Sequence, residues 1–141
     1  MHGILVKIEI LDFSMTKSKM NTYKIVVVGD EAIGKTTLVA ILAGTPVPVN
    51  YTPTLGVEVD PTRCLDSIFN LWDCAGNPAF GGLREGYWCE AQGMIVVHRG
   101  VISQTSRNKA EVFRAMNPRA PIIDVNKTLV LNREAILGNF I

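Results

Sequence analysis

The chain has 141 residues, 48% of them hydrophobic, with 14 Lys and Arg against 13 Asp and Glu for a net charge of +1. One domain of that size can bury a core, and the small, mixed charge excludes a broad electrostatic field for nucleic acid. Cys64, Cys74 and Cys89 are odd in number and lack metal-ligand spacing, which excludes a disulfide scaffold and fits reduced thiols in an intracellular protein.

Residues 1–22 read as an extension ahead of the main domain, which would occupy 23–141. Ile4, Val6, Ile8 and Ile10 fall on one face at period two, with Lys7 and Glu9 opposite, as in a strand. Phe13 to Thr22 is a mostly polar linker, and Met20 would be a plausible start of the bare domain. The start lacks a cationic region before an apolar run, and no segment approaches the ~20 apolar residues of a membrane span. Position 2 is not Gly and the last residues carry no Cys, so no lipid anchor is expected.

The most informative segment follows. Lys24 to Val28 is an apolar, β-branched strand, and it runs into Gly29-Asp30-Glu31-Ala32-Ile33-Gly34-Lys35-Thr36, a G-x-x-x-x-G-K-T sequence. Thr37 and the apolar residues after it continue a helix predicted over 35–44. Strand, glycine loop and helix start together make a phosphate-binding loop, in which Glu31 to Thr37 would surround a phosphate chain with backbone N–H groups. Lys35 would reach the β- and γ-phosphates, and the Thr36 hydroxyl would ligate Mg²⁺.

Thr54 precedes a short alternating strand over 56–60 and can offer the metal a second hydroxyl. A tight hairpin linker from Asp60 to Ser67 leads to a strand over 66–72, which ends in Asp73-Cys74-Ala75-Gly76, a D-x-x-G sequence. Asp73 would hold a Mg²⁺-bound water, and Gly76 lets its N–H approach the γ-phosphate without a Cβ in the way. Gly81-Gly82 frees Phe80 to face a partner. A strand over 93–98, a helix near 106–116 stopped by Asn117-Pro118, a strand over 121–125 and a helical Arg133 to Leu137 complete the chain. The fold class is α/β: a P-loop NTPase with a doubly wound, mostly parallel sheet, shortened at its C-terminal end. His98 reads as a polar residue at a strand end.

Thr54-Leu55-Gly56-Val57-Glu58-Val59, Phe69-Asn70-Leu71-Trp72-Asp73 and the run from Phe80 to Trp88 resemble Ras-superfamily small GTPases, and the Ran family of nuclear-transport GTPases in particular. The likeness covers about Tyr23 to Val97 and weakens toward Asn126-Lys127. It implies a Ras-like G domain that binds GTP and GDP with Mg²⁺ and switches between two states. Thr54 would be the switch I threonine, with Thr36 and Asp73 at the metal. Tyr51 would lie over the ribose and phosphates, and Asn126 with Lys127 would face the base. Lys35, Gly76 and the residue after it, Asn77, would carry phosphoryl transfer. Leu55, Phe80 and Arg84 would lie on the switch surfaces that meet transport receptors or regulators. A protein of this kind would work in cytoplasm and nucleus without a membrane anchor.

Three positions depart from the family pattern. Asn77 stands where a glutamine normally orients the attacking water, and it is one methylene short. Glu31 stands where the loop often has glycine, and its carboxylate would repel the γ-phosphate unless it swings out to solvent. Leu129 replaces the aspartate of N-K-x-D that would read guanine. Asp124 reads as a strand-end carboxylate that could replace it only through an altered loop. The first two changes weaken positioning and electrostatics, so slow hydrolysis is expected. The alternative is a degenerate pseudo-GTPase that keeps the Ran-like surface as a binding module.

Overall fold

The computed structural model describes residues 20–47, 57–74 and 86–141. The extension strand at 4–10 therefore lies outside the described residues. Among them, the chain runs β1 (Asn21–Val28), α1 (Lys35–Ala43), β2 (Val57–Cys64), β3 (Ser67–Cys74), β4 (Gly93–His98), α2 (Gln104–Met116), β5 (Ile122–Asn126) and α3 (Arg133–Leu137), with 3-10 turns at Gly86–Trp88 and Gly138–Phe140. The strands form one sheet in the order β2-β3-β1-β4-β5. β1, β3, β4 and β5 are parallel, and β2 runs antiparallel to β3.

The unbroken apolar run of β1 reflects burial on both faces, as a doubly covered parallel sheet requires. Ile25 and Val27 pack with Leu38, Val39 and Leu42 of α1 and with Phe69, Leu71, Ile95 and Val97. Val26 and Val28 point the other way, onto Trp88, Met94, Val96 and Phe113 of α2. The period-two alternation of one strand thus feeds two cores.

The region read as a tight hairpin linker from Asp60 to Ser67 is a hairpin, but most of it is strand. β2 continues to Cys64 and β3 starts at Ser67, leaving only Leu65 and Asp66 in the turn. Both have positive φ, 52° and 56°, the geometry whose twist suits a two-residue hairpin. Pro61 hid the strand from view, yet β2 pairs only with β3 among the described residues, and an outer strand tolerates a missing N–H. β1 likewise begins at Asn21 rather than Lys24, and α2 begins at Gln104 rather than 106. Ser103 caps α2, its hydroxyl accepting the Ser106 N–H at 3.1 Å.

The face of the sheet that carries α1 is closed by a short C-terminal segment. Leu137 and Phe140 are buried in the same core as Leu42 and Phe69. Phe140 packs against Gly93, where an added Cβ would come within 2.3 Å of the ring. Arg133 staples the segment in place, donating to the Leu42 carbonyl at 2.9 Å and the Arg63 carbonyl at 3.0 Å. The first of these bonds satisfies a carbonyl left open at the end of α1.

Candidate nucleotide site

The C-terminal ends of β1, β3, β4 and β5 lie along one edge of the sheet, and the described ones among the predicted site residues, Glu31 to Thr37, Asp73, Asn126 and Lys127, gather there. After Val28 the chain turns at Gly29, where an added Cβ would meet Ile33 Cγ2 at 2.8 Å and the Val97 carbonyl oxygen at 3.0 Å. The loop closes through the Ile33 N–H, which donates to Asp30 O at 3.2 Å. Ala32 has φ 59° and Gly34 φ 103°, successive left-handed turns that lead to the start of α1 at Lys35. The open N–H groups at that start offer a phosphate its first partners. Glu31 and Ala32 are exposed, Thr36 and Thr37 half-buried.

The end of β3 meets this loop. Asp73 is 1% exposed, and its Oδ2 accepts the Thr36 hydroxyl at 2.7 Å. Lys35 Nζ lies 3.1 Å from Oδ1, close enough for an ion pair. It approaches off the hydrogen-bond direction, so that buried oxygen has no directed donor. A hydroxyl and a buried carboxylate with an unsatisfied oxygen are hard donors of the kind Mg²⁺ takes. Thr36 and Asp73 therefore fit the cation, with Lys35 beside them as the fixed positive charge.

A family model described as "Ras of Complex, Roc, domain of DAPkinase" matches residues 24–133. The chain belongs to the Roc family. It is accordingly a Ras-superfamily domain, a small GTP-binding switch protein of the P-loop GTPase class, for which GTP and GDP are the ligands and Mg²⁺ the usual companion. The family match does not single out Ran. Among the described residues no helix is long and apolar enough to cross a membrane.

In this Roc domain the phosphate loop is held from the β4–β5 side, by Lys127 and by residues the motifs did not reveal. Asp30 Oδ1 accepts the Ser103 hydroxyl at 2.8 Å, which ties the loop to the cap of α2. Arg99 Nε donates to Ile33 O at 3.2 Å. The Lys127 stem lies over Gly34, its Cγ 3.2 Å from where a Cβ would be, and the Lys127 N–H donates to His98 O at 2.7 Å. A serine just ahead of a helical stretch was the one readable signal for Ser103; nothing local marks Asp30 or Arg99.

His98 is buried and fully engaged. Its Nδ1 accepts the Gly100 N–H at 3.0 Å, so Nε2 carries the proton and donates to Asp124 Oδ1 at 2.8 Å. Asp124 is thus a structural carboxylate at the strand end, as its position suggested. Asn126 faces its own turn: Oδ1 accepts the Thr128 N–H at 3.0 Å and the Thr128 hydroxyl at 2.6 Å. Cys74, next to Asp73, is buried, and burial pushes its thiol up to about 11, against an opposing pull from Trp88. Tyr51, Thr54, Leu55, Gly76, Asn77, Phe80 and Arg84 lie outside the described residues.

Proposed function

We propose that this Roc domain is a Mg²⁺-dependent nucleotide switch with slow GTP hydrolysis. The observation that carries it is the convergence of Lys35, Thr36 and Asp73 at the mouth of a glycine loop that opens a helix. When bound, Mg²⁺ would neutralise charge on the phosphates. Thr36 and Asp73 would hold it, and Thr54 would add a second hydroxyl. Lys35 would leave Asp73 for the phosphates, its charge already placed at the loop. Gly76 would sense the γ-phosphate through its N–H, and Tyr51 would cover the ribose side.

Slow turnover follows from Asn77, too short to orient the attacking water, and from Glu31, a carboxylate in the phosphate loop. The finer likeness to Ran, with transport receptors or regulators meeting Leu55, Phe80 and Arg84 in cytoplasm and nucleus, is supported by the two switch sequences alone. The switch reading is tested by releasing and identifying the nucleotide carried by the purified protein, then titrating GDP with and without Mg²⁺ by calorimetry. Mg²⁺-dependent binding that Lys35→Ala abolishes is expected. Binding of neither GDP nor GTP would leave the pseudo-GTPase, a protein-binding module, as the surviving account.

A further inference from the structure

The site has a direction, and it determines where the nucleoside must lie. Thr36 and Asp73 stand on the β3 side of the phosphate loop, and β4 and β5 stand on the other. A nucleotide with its terminal phosphate and cation at Asp73 runs its phosphate chain across the loop, so its nucleoside reaches the turn after β5. That turn touches the loop directly, through the Lys127 stem over Gly34.

The turn is poorly equipped to choose guanine. A guanine edge carries an N1–H and an N2 amine beside its O6, and a fixed, open acceptor pair for those two donors is the strongest discrimination against adenine. From Asn126 to Leu131 the sequence contains no carboxylate. The Asn126 side-chain carbonyl already accepts two hydrogen bonds from Thr128, which fills both its lone pairs. Asp124 gives Oδ1 to His98, and its side chain lines a groove with Ile102, Arg107 and Arg114, on the α2 side of the sheet. Backbone carbonyls remain, but adenine's amine uses these as readily as guanine's. What the turn does offer is apolar: Leu129 is 64% exposed and Val130 fully so.

We propose that this turn holds the base by apolar contact rather than by reading its edge, so that adenine and guanine nucleotides bind alike. The proposal rests on the nucleotide reading above and concerns only its selectivity. Binding of GDP and ADP with Mg²⁺, measured by competition against a fluorescent nucleotide on the full chain, tests it. The two affinities should agree within about tenfold, against the roughly 10⁴-fold rejection typical of sites that hydrogen-bond the distinguishing group. Leu129→Asp, an exposed substitution that places a carboxylate on the turn, should raise the GDP-to-ADP ratio at least about tenfold while Lys35→Ala removes both ligands. A larger GDP preference in the wild type, or a ratio unmoved by Leu129→Asp, overturns the proposal and leaves the switch standing. Binding of neither nucleotide refutes the nucleotide reading and this inference with it.

Discussion

Lys35→Ala should destabilise the nucleotide-free protein as well as abolish binding, and its size follows from the burial of its partner. Asp73 is 1% exposed and the Lys35 side chain 8%, with 3.1 Å between Nζ and Oδ1. Removing one partner of a buried pair typically costs about 3–5 kcal/mol, because the other charge is left uncompensated. The Thr36 hydroxyl still donates to Oδ2, so the low end of that range, about 3 kcal/mol, applies here. Urea denaturation followed by circular dichroism would register a midpoint lower by about 1–3 M, and heating a Tm lower by roughly 6–12 °C. Lys35→Met combined with Asp73→Asn removes both charges, keeps a partner for Thr36, and should return stability to within about 1 kcal/mol of the wild type. Mg²⁺ with GDP at about 100 times Kd should stabilise the wild type by about 2.7 kcal/mol and neither variant. If Lys35→Ala costs under about 1 kcal/mol, or costs the same with Asn at position 73, the ion pair is not what neutralises Asp73 and the reasoning fails.

Glu31→Gly with Asn77→Gln should raise the single-turnover rate of GTP hydrolysis about 10- to 100-fold, or about 1.4–2.7 kcal/mol, whereas Asn77→Gln alone should restore little; equal rates in wild type and double variant would refute the account of slow turnover. Iodoacetamide at pH 8 should modify exposed Cys89 in the native protein and spare buried Cys64 and Cys74 until urea unfolds the chain, as read by mass spectrometry. Because folding raises the Cys74 thiol from 9.0 to about 11, the unfolded chain loses that proton first. The contribution is therefore complete below pH 9 and lost as pH rises through 11, about 2–3 kcal/mol in all, and Cys74→Ala should remove that slope from urea midpoints measured between pH 8 and pH 11. Gly93→Ala should cost about 1–3 kcal/mol, since its Cβ would sit 2.3 Å from Phe140 Cδ1 and 3.0 Å from Ile25 Cδ1; adding Phe140→Ala should cost less than the sum of the single effects.

The phosphate loop was legible because its chemistry is local. Gly29, Gly34, Lys35 and Thr36 must sit at fixed spacing between a buried strand and a helix start, and nothing distant changes that requirement. The parallel sheet was legible for a related reason: strand segments buried on both faces must be apolar, and 25–28 of β1 and 94–97 of β4 are. The hairpin was legible too, but not the run of β2 to Cys64, because Pro61 argues against a strand until the strand is known to be the outer one. Nor was the closing of the α1 face, since Arg133 reaching Leu42 O and Phe140 filling the space above Gly93 join residues far apart in sequence. At the site, sequence named Lys35, Thr36 and Asp73 but not their mutual contact, and it missed the grip of Ser103 and Arg99 on the loop. The missing aspartate at Leu129 was visible in the chain. That Asn126 spends its carbonyl on Thr128, and that Asp124 is bound to His98, belongs to the folded turn, where hydrogen bonds between neighbouring strand ends decide which polar atoms stay open to a ligand.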